Sequence, residues 1–117
     1  MNDSIHYTMV IRLFTGDESR ALGPGVAELL HRVEELHSLR SAAGSMGMAY
    51  SKAWSIIKNS ENALGYSLLT STTGGRHGGG AVLTAEGREL LENYDHFCAE
   101  LQAYGNAAFS KIFGGTL

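Results

Sequence analysis

Gly47 stands between two stretches of helical spacing, and it restricts this chain's fold more than its composition does. Before it, Leu39, Ala42, Ala43 and Met46 recur at three- and four-residue intervals behind Ser38, a side chain suited to capping a helix start. After it, a second helix is expected from about Ala49 to Leu64, with Gly65 as its stop. Ala42, Met46, Met48, Ala53 and Ile56 supply the apolar contacts that lock such a pair together. Ala43, four residues before the turn, leaves room for close approach. Glycine suits the turn because positive φ costs it little. Two helices held at a fixed angle by a tight glycine turn make a helix-turn-helix, here residues 38–64.

The second of these helices can be read by angle. At ~100° per residue with Ala53 at zero, Leu64, Ile57 and Tyr50 fall within about 60° of it and Trp54 at about 100°. Tyr50 and Trp54 therefore read as inward, Trp54 as a core anchor, although Tyr50 at the helix start still reaches outward. Ser51, Ser55, Lys58 and Asn62 fall between about 140° and about 200°, with Lys52 and Asn59 on the flank. Glu61, at about 80°, lies away from the centre of that face. A polar face of Ser, Lys and Asn without a carboxylate suits phosphates and base edges. The plain alternative is the solvated face of any soluble helix, but the other long helices expected here are rich in acids.

The surrounding elements complete a pattern. Ile5–Phe14 alternates as a strand, Thr15-Gly16-Asp17 turns it, and Ser19–Leu22 returns as a short partner. Gly23-Pro24-Gly25 opens a helix whose apolar stripe is Val26, Leu29, Leu30, Val33 and Leu36. Beyond the helix pair, Ser67–Thr73 and Ala81–Thr84 read as strands around the glycine-rich Gly74–Gly80, a wing over residues 67–84. Arg76 and His77 at its tip are expected to reach DNA backbone or minor groove. A phosphate-binding loop would need Gly-Lys-Ser/Thr running into a helix, which is missing here. Thr84 caps a last helix, expected over residues 85–112, with Glu86 and Glu89 near its positive end. The expected fold is mainly α with small β, a single winged helix-turn-helix over residues 1–117 with an N-terminal strand pair and a long C-terminal dimerisation helix.

Leu90, Tyr94, Phe97, Leu101, Tyr104 and Ala108 recur along that last helix at alternating four and three, a coiled-coil-like seam. The stripe either packs on its own domain or pairs with a second copy; pairing is the expectation, since a three-helix unit of this size is already largely covered. A two-fold pair would set recognition helices roughly 34 Å apart and imply a palindromic site.

The overall charge of −3 looks adverse to DNA, but it is unevenly spread. Residues 1–37 and 81–117 each carry a net −3, whereas residues 38–80 carry a net +3 from Arg40, Lys52, Lys58 and Arg76 against Glu61. A phosphate-facing surface needs only local positive potential, and only the middle third is expected to supply it. The single cysteine, Cys98, fits a reducing compartment, and a signal peptide or spanning segment is not evident, so a cytoplasmic protein is expected.

Ser41-Ala42-Ala43, Met46-Gly47-Met48-Ala49-Tyr50-Ser51-Lys52-Ala53-Trp54, Gly74-Gly75, Gly78-Gly79-Gly80-Ala81, Leu83-Thr84 and Glu86-Gly87 together resemble the N-terminal DNA-binding domain of ModE-type molybdate-responsive regulators, distantly similar to LysR-type heads. The resemblance covers roughly residues 5–110 and implies a winged helix-turn-helix dimer on promoter DNA. Ala49 stands where many family members carry Ser, removing a capping or phosphate-contacting hydroxyl. The family's molybdate-binding domains have no counterpart in these 117 residues, so no oxyanion site carries over.

The DNA contacts expected are Arg40, Tyr50, Ser51, Lys52, Ser55, Lys58, Asn59, Asn62, Arg76 and His77. No catalytic residue, metal or cofactor is expected, because the five histidines lack metal spacing and no serine sits in a nucleophile elbow. His31 and Glu34, three apart, read as solvated helix residues rather than ligands. Two other readings compete: a winged-helix protein-interaction module, and a metal- or redox-responsive regulator using Cys98 with His96. Cys98 is more simply a small core residue beside the seam.

Overall fold

The computed structural model describes residues 5–72 and 80–114. The elements are β1 (Leu13–Phe14), β2 (Arg20–Leu22), α1 (Pro24–Leu36), α2 (Leu39–Ser45), α3 (Tyr50–Leu64), β3 (Leu69–Thr72), β4 (Gly80–Leu83) and α4 (Ala85–Phe113). Four helices with two separate antiparallel pairs, β1–β2 and β3–β4, make a winged helix-turn-helix.

The helix ends form where local chemistry favours them. Pro24 occupies the first turn of α1, and His37 closes that helix in the left-handed region at φ 58°, its N–H bonded to the Val33 carbonyl at 2.7 Å. The Ser38 hydroxyl accepts from the Ser41 N–H at 3.0 Å, capping α2. Gly47 takes φ 67°, and the Met48 N–H returns to the Ala43 carbonyl at 2.9 Å, which folds the chain back on α2. This is the tight turn that the glycine requires, and Ala43 is fully buried beneath it. Gly65, at φ 83°, ends α3.

Leu22, Leu29, Leu30, Val33, Ala42, Ala43, Ala53 and Leu68 are completely buried, with Ile57 and Leu91 nearly so. One core therefore joins β2, α1, α2, α3, the entry to β3 and the start of α4. The Ala81 N–H donates to the His37 carbonyl at 3.0 Å, tying β4 to the end of α1.

The root of α4 is fastened to the wing. The Thr84 hydroxyl accepts from the Gly87 N–H at 2.9 Å and donates to the Ser67 carbonyl at 2.7 Å. A Cβ at Gly87 would stand 2.5 Å from the Leu68 carbonyl oxygen, so only glycine permits this approach. The buried residues of α4 are Gly87, Leu91 and Tyr94, all near its start; beyond them the helix leaves the core.

The N-terminal strand is shorter than its alternation predicts. Only Leu13–Phe14 pairs, because its partner β2 is three residues long. Upstream, the chain runs out along α4 instead of in a sheet. The Tyr7 hydroxyl donates to Asn106 at 2.6 Å and accepts from Gln102 at 2.8 Å, and its ring lies 5.2 Å from that of Phe109.

Candidate nucleic-acid interface

The inward side of α3 is Ala53, Ile57, Ser60 and Glu61. The Glu61 carboxylate accepts from the Leu68 N–H at 2.7 Å and the Leu69 N–H at 3.3 Å, and lies 3.2 Å from Lys58 Nζ. The acid that most threatened a phosphate-facing surface is thus turned inward and used to hold the first strand of the wing. Ser51, Lys52, Ser55, Lys58, Asn59 and Asn62 are all exposed.

Trp54 corrects the angular reading. It is 49% exposed, not a core anchor, and Tyr50 is exposed as well. The space an inward indole would need is taken by Ala53, Ile57 and the Glu61 contacts to Leu68 and Leu69. Trp54 instead lies along the wing-facing edge of α3, with Lys58 Nζ 5.5 Å from its ring centroid. Arg40, from the first turn of α2, stacks over Tyr50 with Cζ 4.2 Å from the ring centroid. Such cation–aromatic contacts hold long cationic side chains against a surface; Lys58 in addition shares its charge with Glu61. A cleft of about 330 Å³ opens here between α3 and β3, lined by Arg40, Tyr50, Trp54, Lys58 and Thr70, with Glu61 also in its wall. The missed signal was the four-residue spacing of Tyr50, Trp54 and Lys58, an edge ladder in which lysine reaches the indole.

The structure thus brings Arg40 to the edge of α3, and leaves Asn59 on the opposite flank, beside Arg12 and Arg20. Arg76 and His77 lie outside the described residues.

The α4 stripe divides in two. Tyr94 is 6% exposed, and its hydroxyl donates to the Ile11 carbonyl at 2.7 Å, so it belongs to its own domain rather than to a free seam. Burial above all, then the neighbouring Cys98, pushes the Tyr94 phenol up to about 12. Leu90 and Cys98 pack partly buried against the same core. Phe97 and Tyr104 are exposed, the latter at 77%, with Leu101 between them and Ala108 beyond them half-buried.

His96 pairs with Glu100 at 3.4 Å, and His31 Nε2 meets Asp95 at 2.7 Å with Glu34 at 4.0 Å from its other nitrogen. No group of three His, Cys, Asp or Glu side chains among the described residues could hold a metal ion. Among the same residues, no helix is long and apolar enough to cross a membrane.

Residues 26–88 match the family described as bacterial regulatory helix-turn-helix protein, lysR family. The chain is 34% identical over 73 residues to the molybdenum-pterin-binding protein MopB of Rhodobacter capsulatus, a match covering 62% of this chain and 27% of that protein. It is 35% identical over 72 residues to the DNA-binding transcriptional dual regulator ModE of Escherichia coli K12, covering 62% of this chain and 28% of that protein. With the molybdenum transport protein ModE of Azotobacter vinelandii it shares 32% identity over 87 residues, covering 74% and 32%. The chain therefore spans about a third or less of the length of these relatives. With the fold and the exposed face of α3 in place, the chain belongs to the LysR-type family of bacterial regulatory helix-turn-helix proteins, and part of it is similar to regulators of the ModE type.

Proposed function

We propose that the chain binds double-stranded DNA sequence-specifically as a homodimer in the cytoplasm and regulates transcription from a palindromic site. The observation that carries this reading is the exposed face of α3, free of carboxylates because Glu61 is turned inward. In this reading α3 lies in the major groove. Ser51, Ser55 and Asn62 read base edges there, while Lys52, Lys58, Asn59 and Arg40 hold phosphates. Tyr50 and Trp54 border the same groove, and the wing follows the adjoining backbone, with Arg76 and His77 of the sequence between β3 and β4 as its proposed contacts. The exposed Phe97 and Tyr104, with Leu101 and Ala108, supply the contact with a second copy.

Selection from a random duplex pool tests the whole reading. Enriched sequences with two inverted half-sites about one helical turn apart are expected. Affinity should fall steeply as salt rises. A pool with no enriched sequence, together with affinity insensitive to salt, would overturn the reading in favour of a protein-contact module.

A further inference from the structure

We propose that Arg12 and Arg20 form a second phosphate-binding flank, on the side of α3 away from the wing. The proposal rests on reading α3 as the recognition helix. Arg12 directly precedes β1, and Arg20 opens β2 opposite Phe14. Both are exposed, and neither has an ion-pair partner among the described residues, whereas Arg32 pairs with Glu28 and Arg88 with Glu34. The hairpin brings both arginines to the lining of one cavity of about 470 Å³, which Ile56, Asn59 and Ser60 of α3 also line. No carboxylate lines it.

The location follows from the angles of α3. Around a reading face centred at about 180°, Lys58 sits at about 140° toward the wing and Asn59 at about 240° toward the hairpin. A helix in a major groove about 12 Å wide has a sugar–phosphate backbone along each edge. The cleft with Arg40 and Lys58 serves one edge; the cavity with Arg12 and Arg20 faces the other. Segment arithmetic assigned the first 37 residues a net negative charge and so hid these cations. Of the acids in this segment, Glu28 and Glu34 are paired elsewhere, Asp17 is held in its own turn by Thr15 and Ser19, and Glu18 and Glu35 do not line the cavity.

The test compares the full chain with R12Q/R20Q and R12K/R20K on a selected duplex and an unrelated one across a salt series. Thermal melts check that each variant is folded. Loss of two phosphate contacts should flatten the plot of log K against log salt by about 1.8, alike on both duplexes, and the lysine pair should restore it. Phosphate-ethylation interference should disappear on the backbone remote from the wing. If R12Q/R20Q fails to fold, R20Q alone should flatten the slope by about 0.9.

An unchanged slope in R12Q/R20Q, with K52A or K58A still flattening it, overturns the second flank and leaves the recognition helix standing. A parent chain without salt-dependent DNA affinity overturns both. Calorimetric binding of inorganic phosphate by the parent, lost in R12Q/R20Q while the DNA slope is unchanged, makes the cavity a small-anion site and also overturns the proposal.

Discussion

Glu61 shows how one buried carboxylate braces the proposed interface from within, pairing with Lys58 in the wall of the cleft. Its carboxylate is partnered by two backbone N–H groups and one lysine, so its burial leaves no acceptor bare. Glu61→Ala strands the Leu68 and Leu69 N–H groups and should cost about 2–3 kcal/mol in urea unfolding, with Glu61→Gln costing less. Tyr94 makes a different prediction, because its phenol is raised to about 12 from an ordinary 10. The folded state then holds a proton that the unfolded state has already released, so stability is level below pH 10 and falls as pH rises toward 12. Tyr94→Phe should flatten that alkaline decline in pH-dependent unfolding while losing the bond to Ile11.

At the level of elements, the helix-turn-helix is the most demanding unit, since both its turn and its caps are specific. Gly47→Ala places a Cβ in open space but at φ 67°, so the cost is conformational, about 1 kcal/mol in thermal unfolding. Ser55→Ala should alter which sequences are enriched without changing the salt slope, whereas Lys52→Ala should weaken all duplexes alike; electrophoretic mobility shift separates the two. Ser38, Gly47, Gly65 and Thr84 act through local backbone chemistry, and for that reason their roles could be read directly from sequence. Trp54 could not, because whether a residue at about 100° on a helix faces in or out depends on what fills the space beneath it. Here that space went to Glu61 and the entry of β3, a contact seven residues distant in sequence but unspecified by periodicity. The N-terminal strand misled for a related reason: alternation signals extended chain, but a ladder needs a partner, and β2 is too short to provide one. The Arg12–Arg20 cavity was invisible for a third reason, since local charge belongs to surfaces and not to segments.

In the molecule as a whole, α4 has two parts that differ in exposure. Its first ten residues are bound into the domain, and the remainder carries the exposed Phe97 and Tyr104. Replacing both by glutamate should leave the melting profile little changed but convert a dimer to a monomer in sedimentation equilibrium. Affinity for a palindrome should then fall toward that for a single half-site. The fastening of α4 to the wing at Thr84 and Gly87 gives this arrangement a mechanical side. At 29 residues the helix is a rod about 43 Å long, clamped at one end to the strands that border the recognition helix. Its far half carries the N-terminal segment through Tyr7, so a tilt of the straight rod turns the clamped end through the same angle. In the proposed dimer, the way two such rods pair would therefore set the spacing and the aim of the two reading heads.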